Sequence, residues 1–218
     1  MLVGAVVCPH PPLIVPEVAS GAAAELNDLR TACDAAIRRL LDAQPSTIAV
    51  VGRAPTAGIV RGTAGSFSGY GVSLQTGVGE PTLPLAHTVG CWLLDRSGWD
   101  GGRAYYGVTD DAQTLVLDED RLGLLVMGDA SARRTEKAPG YLDDRAERFD
   151  AQVAAALATG PDELAEIDGA LAQELLASGW PAWQALAHAA AGRAWNCEVL
   201  YDEAPYGVGY IVALWQPA

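Results

Sequence analysis

The stretch Leu2-Val3-Gly4-Ala5-Val6-Val7-Cys8-Pro9-His10-Pro11-Pro12 decides how the chain is read. Residues 2–7 form an unbroken apolar run of strand length, the pattern of a strand buried on both faces. Proline has no amide hydrogen and restricts the residue before it, so the ladder must stop at Pro9. His10 is thereby held at the rim of a sheet by a backbone with few conformations to lose. In open α/β sheets that rim is where ligands are bound.

Outward from this stretch the pattern alternates between helix and strand. Leu26, Leu29, Cys33, Ile37, Leu40 and Leu41 recur at three- and four-residue steps, which predicts an amphipathic helix over residues 21–43. Asp34, Arg38 and Asp42 fall on its wet side. The β-branched run at 48–51 then closes a strand-helix-strand unit, which implies a parallel crossover. Residues 58–79, rich in Gly, Ser and Thr, predict a long loop carrying a short strand or hairpin.

A buried helix is expected over 83–94, and an all-apolar strand over 122–127, stopped by Gly128-Asp129. Helices over 143–157 and 162–177 each begin at an Asp able to cap free amides, with Gly160-Pro161 between them. An Ala-rich helix follows at 182–191. Strands at 198–201 and 208–215 flank a turn-like connection at 202–207. The expected fold class is α/β: a single domain over residues 1–218 with a central mixed, largely parallel sheet flanked by helices.

Composition narrows the function. The 218 residues are 50% hydrophobic, enough for one sizeable core. Lys plus Arg number 14 against 27 Asp plus Glu, a net charge of −13 that argues against nucleic acid and anionic membranes as partners. No apolar stretch reaches membrane-spanning length and no basic lead with a cleavage site opens the chain, so a cytoplasmic location is expected. Cys8, Cys33, Cys91 and Cys197 form no C-x-x-C pair and read as reduced thiols.

Three polar clusters end apolar strands: His10, Gly128-Asp129-Ala130-Ser131, and Asp202-Glu203. Strand ends on one rim converge on one crevice, so residues distant in sequence become neighbours. A histidine beside carboxylates is the beginning of a metal site, and a catalytic Fe(II) centre asks for two imidazoles and one carboxylate. The chain has three histidines, and His87 and His188 read as packed helical residues. G-x-S-x-G, phosphate-loop and dinucleotide fingerprints are absent from the sequence.

Three segments together resemble the class III extradiol ring-cleaving dioxygenase superfamily, which includes the catalytic-subunit-like and Memo-like proteins. They are Cys8-Pro-His-Pro-Pro-Leu-Ile-Val-Pro-Glu17; Gly128-Asp-Ala-Ser-Ala-Arg-Arg-Thr135 with Ala138-Pro-Gly-Tyr141 and Phe149-Asp150; and Tyr201-Asp-Glu-Ala-Pro-Tyr-Gly-Val-Gly-Tyr210. Their wording is closest to an actinobacterial branch. The resemblance implies an extradiol dioxygenase-like fold and, for active members, Fe(II) held by two histidines and a glutamate, with a further histidine as acid/base. His10 matches the first ligand and Glu203 the carboxylate. The second ligand's turn is here Gly52-Arg53-Ala54-Pro55, which offers Ala54 or Arg53, and Ala132 stands at the acid/base position.

Alanine neither binds iron nor relays protons, and loss of a general acid/base commonly forfeits about 10²- to 10⁴-fold in rate. The expectation is therefore a degenerate active site without ordinary catechol cleavage and without a resident cofactor. It would retain a pocket framed by His10, Arg53, Asp129, Ser131 and Glu203. Arg53 in particular is expected to pair with Glu203 or an anion, so a small aromatic or acidic ligand is anticipated. Two alternatives stand beside it. One is a working enzyme binding Fe(II) or another divalent metal through His10, Glu203 and either Asp202 or Asp129. The other is a non-catalytic interaction subunit, and self-association is expected of relatives in either case.

Overall fold

The structure is a computed structural model that describes residues 1–111, 113–115 and 120–218. The chain runs β1 (Leu2–Cys8), α1 (Pro16–Ala19), α2 (Asn27–Asp42), β2 (Thr47–Arg53), β3 (Gly58–Ile59), β4 (Ala64–Ser66), β5 (Gln75–Gly77), α3 (Leu85–Arg96), β6 (Gly102–Val108) and β7 (Leu122–Met127). It continues through α4 (Ala146–Thr159), α5 (Pro161–Ala165), α6 (Gly169–Glu174), α7 (Trp180–Ala190), β8 (Trp195–Glu203) and β9 (Tyr210–Pro217).

Seven strands form one sheet in the order β3-β6-β2-β7-β1-β9-β8. The four inner strands β6, β2, β7 and β1 are mutually parallel, while β3, β9 and β8 join antiparallel at the two sides. The expected mixed, largely parallel α/β sheet is present. The β1-α2-β2 unit is parallel as read, but its strands are not neighbours: β7 lies between them, with Val6 opposite Leu125 and Val50 opposite the same residue. All six residues of β7 are buried, which is what its unbroken apolar run requires of a strand covered on both faces.

Helices divide between the faces. Ile37 and Leu40 of α2 and Val89 and Leu93 of α3 share one core with Val6, Val50, Leu125 and Met127. Phe149 and Val153 of α4 and Trp183 and Leu186 of α7 share the other with Val7, Val51, Leu124 and Val126. Alternation along β1, β2 and β7 thus feeds both layers, and each fully buried Leu contributes about 1.5–3 kcal/mol. The small sheet of β4 and β5 is the hairpin expected within residues 58–79.

Four local expectations are corrected. Residues 20–26 wind as a 3-10 turn, and the α-helix proper starts at Asn27. Residues 162–177 are not one helix: Asp168 caps a fresh start, accepting from the amides of Ala170 and Leu171, and Gly169 lies where a Cβ would strike the Trp180 ring. Asp143 does not cap α4 from the adjoining position; it holds Arg145, and α4 begins at Ala146. Asp202 and Glu203 are not turn residues but the last two of β8, paired with Ile211 and Tyr210, and the turn is confined to 204–207. Strand β6 goes unread in the sequence because Gly102-Arg103-Ala104-Tyr105-Tyr106-Gly107 lacks both a continuous apolar run and clean alternation.

Two glycines fasten the rim. A Cβ on Gly128, just past β7, would lie 2.3 Å from Gly179 Cα, immediately before α7. Backbone cannot yield as a side chain does, so Gly128→Ala is expected to cost about 2–4 kcal/mol in urea unfolding. Gly69→Ala, where a Cβ meets nothing within 4 Å, should stay within about 0.5 kcal/mol. Equal stability of the two variants would contradict the close approach.

Candidate functional site

The parallel ladder continues one step past β1, where the Gly128 amide donates to Cys8 O, and then the prolines end it. His10, 8% exposed, follows directly. Its backbone amide donates to Asp129 Oδ1 at 2.7 Å, and its Nδ1 stands 3.6 Å from the same oxygen. One carboxylate therefore holds the main chain of His10 and stands near its ring edge. Asp129 is itself anchored, its carbonyl accepting from the Gly179 amide at 2.9 Å. His10 Nδ1 is buried and makes no hydrogen bond among the described residues.

The sequence reading assigns His87 to helical packing. It is fully buried in the first turn of α3, and its Nε2 donates to the carbonyl of Tyr106 at 2.9 Å. A carbonyl only accepts, so Nε2 carries the proton and Nδ1 is left as a buried lone pair without a partner among the described residues. Burial lowers its pKa to about 4; the bond to Tyr106 opposes this, and the charge of His10 adds to it. Gly52 makes room for the start of α3, since a Cβ there would stand 2.7 Å from Ala86 Cβ, whereas the His87 ring at 3.7 Å would be in ordinary contact. Tyr210, at the start of β9, is buried in the same core, and burial together with the Asp129 charge raises its phenol above the usual range.

The remaining predicted residues separate. Arg53 does not pair with Glu203. Its guanidinium grips Asp110 with both terminal nitrogens, and its Nε reaches the Ser178 carbonyl at 3.5 Å. Glu203 lies at the exposed end of β8, four strand places from β2, or about 19 Å at ordinary strand spacing, and bonds the Tyr201 hydroxyl. From β1 it is two places away, about 10 Å. Ala54 extends the ladder by donating to Val108 O, and Ala132 is held in its loop by Leu175 O and the Gly140 amide.

Ser131 is fully buried and serves packing. Its amide and hydroxyl donate to the two oxygens of Asp150 at 2.8 Å each, and Arg134 adds a third bond at 3.1 Å. Burial raises the Asp150 carboxyl, against the pull of these donors. The same cluster explains Gly209, where a Cβ would fall 2.5 Å from Asp150 Oδ2. It also draws Arg134 inward, onto Asp150.

Two cavities meet at the Arg53–Asp110 pair. One of about 390 Å³ is walled by Ala172, Leu176 and Ala177, with Arg53, Asp110 and Ser178 at its polar end. The other, about 720 Å³ and more polar, is bounded by Arg53, Pro55, Thr109, Asp110 and Asp111. The Ser178-Gly179 step joins this region to Asp129, because Ser178 O faces Arg53 while the Gly179 amide bonds Asp129 O. Trp183, packed beneath Gly128 and Gly179, has an indole N–H that is buried without an acceptor among the described residues. Asp110, His87 and Trp183 carry no sequence signal that separates them from solvated or packed residues.

The donors do not fit an Fe(II) site of two imidazoles and a carboxylate. Among the described residues no group of three or more His, Cys, Asp or Glu side chains is placed to hold a metal ion. The four cysteines are free thiols; Cys8, Cys33 and Cys91 are buried. No helix among the described residues is long and apolar enough to cross a membrane. The chain matches no protein-family model and no curated protein.

His87 sets a pH dependence. Its folded pKa of about 4 lies below the ordinary histidine value of 6.5, so between these values the unfolded chain takes up a proton that the native one refuses. The stability it supports is fully present above about pH 6.5 and is lost as pH falls toward 4, to a total of about 3 kcal/mol. His87→Gln should flatten that part of the curve in urea titrations at pH 7, 6, 5 and 4. Parallel curves for both proteins would contradict the buried neutral imidazole.

Proposed function

We propose that this chain is a class III extradiol dioxygenase-like protein that binds a small acidic aromatic molecule at its carboxyl rim and does not perform Fe(II)-dependent ring cleavage. The observation that carries this reading is the separation of the donor set. His10 is bonded by Asp129, Glu203 stands two strands away, and Arg53 is already paired. A planar guanidinium at the end of a cavity with apolar walls is suited to a carboxylate attached to a ring. The ligand's carboxylate takes over the Arg53 fork from Asp110 while its ring lies against Leu176.

His10, held by Asp129, offers a fixed imidazole at the same rim, and Gly179 ties that carboxylate's backbone to the Arg53 side. Position 132, where the family resemblance puts the acid/base histidine, contributes only backbone hydrogen bonds. No group there moves a proton. The supported activity is recognition rather than oxygen chemistry.

The test combines metal content with ligand titration. Protein purified and reconstituted with Fe(II) under anaerobic conditions should hold well under one iron per chain and give no ring-cleaved product from 3,4-dihydroxybenzoate in air. The same compound should bind saturably, and Arg53→Met should weaken it at least tenfold. One iron per chain that is lost in His10→Ala, with ring cleavage, would overturn the reading. Failure of any benzoate to bind would overturn its ligand half.

A further inference from the structure

The first half of β6 is an unfinished sheet edge. At the two ends of this strand the Gly102 amide donates to Ser46 O and Val108 O accepts from the Ala54 amide, so the even-numbered residues turn their backbone groups toward β2. Successive residues face opposite edges, so Arg103, Tyr105 and Gly107 turn theirs outward. β3 pairs only with Gly107 and Tyr106, and Val60 then donates to Tyr105 O at 2.9 Å before the chain departs. The Tyr105 amide and both the amide and the carbonyl of Arg103 have no backbone partner among the described residues.

A cavity of about 490 Å³ opens at this edge, and Arg103, Ala104, Tyr105 and Tyr106 all line it. Side chains alternate between the two faces of a strand, so a space that touches four successive residues lies beside the backbone and not over one face. Across from β6 its wall is the departing segment at Val60 and Thr63, with Ile59 and Val78 at the opening. Those two are 76% and 87% exposed, so large apolar side chains stand in water there. The charges beside them are closed on each other. Arg103 Nη1 donates to Asp95 Oδ1 at 2.6 Å and Nη2 to the Trp99 carbonyl, while the other Asp95 oxygen accepts from the Thr76 hydroxyl and the Gly77 amide.

We infer that this recess binds an extended, uncharged peptide segment, which adds to β6 in line with β3. A row of free N–H, C=O and N–H groups along one edge is a template for another strand, whose main chain supplies the matching acceptors and donors. Three residues of extended chain span about 10 Å, enough to cover Arg103 to Tyr105. Apolar side chains of that segment cover Ile59 and Val78. A charged one gains nothing, because Arg103 is committed to Asp95 and Trp99. The wall at Val60 and Thr63 admits one strand and excludes the edge of a second folded sheet, so another copy of the protein is not the occupant. This site is independent of the carboxyl-rim reading: Arg103 stands near the start of β6, and Asp110 lies past its end.

Calorimetric titration with acetyl-Thr-Val-Thr-Val-Thr-amide, and with the same peptide N-methylated at its three central residues, tests this alongside amide hydrogen exchange followed by NMR. We expect one saturable site per chain for the first peptide and binding at least tenfold weaker for the second, which has lost its strand donors. The first peptide should slow exchange of the Arg103 and Tyr105 amides at least tenfold and leave Gly107, already paired with Gly58, unchanged. Val78→Trp, at an exposed position, should obstruct the opening and weaken binding at least tenfold. Equal affinity for the two peptides would reduce the site to an apolar pocket and overturn the assignment. So would the absence of saturable binding, indifference to Val78→Trp, or protection that appears along β8, the opposite edge of the sheet, instead of at Arg103 and Tyr105. Protection of these two amides in the peptide-free protein that rises with its concentration would put a second copy in the recess and equally overturn it.

Discussion

Burial of β7 on both faces and both edges is the constraint on which the rest depends. Leu122–Met127 offers no polar side chain to either layer, and its backbone groups are satisfied only by pairing with β1 on one side and β2 on the other. That pairing forces β1 and β2 apart, although only the segment carrying α1 and α2 connects them. It also brings Gly128 and Asp129 to the rim between the ends of those two strands. The clamp of Asp129 on His10 and the close passage of Gly179 follow from where this one strand stops.

The rim is electrostatically economical. Asp129 engages His10, Asp110 engages Arg53, and Asp150 engages Ser131 and Arg134, so each carboxylate has a local donor. Among the described residues, the buried polar side-chain atoms left over include three in aromatic rings: His10 Nδ1, His87 Nδ1 and the Trp183 indole N–H. Native interiors seldom leave such groups unpaired, and their gathering near the ends of β1, β2 and β7 marks that end as the part of the molecule shaped for something other than stability.

The inner strands β1, β2 and β7 were legible because their apolar runs end at strong punctuation, Pro9, Gly52 and Gly128. The helix over Asn27–Asp42 was legible from its stripe. What could not be read was strand order, which is non-local: nothing in Asp202-Glu203 says that β9 intervenes between it and His10. The partner of Arg53 was hidden for the same reason, since Asp110 lies past β6, a strand whose glycines and tyrosines mask its pattern. Ser131 was placed correctly at a strand end, but only the burial of Asp150 shows that its hydroxyl is consumed internally.

The partners of β1 have a bearing on how the chain folds. β1 pairs with a strand some 120 residues later and with another some 200 residues later. During synthesis its apolar edge has no lasting mate until β7 has been made, and its second edge waits for β9. Closing such distant contacts is slow, and an unpaired apolar strand is exposed to association with other chains meanwhile. The prolines that hold His10 also shorten this exposed edge, denying any intruding strand a continuous run of amide donors. The segment that shapes the rim thus doubles as protection for the nascent chain.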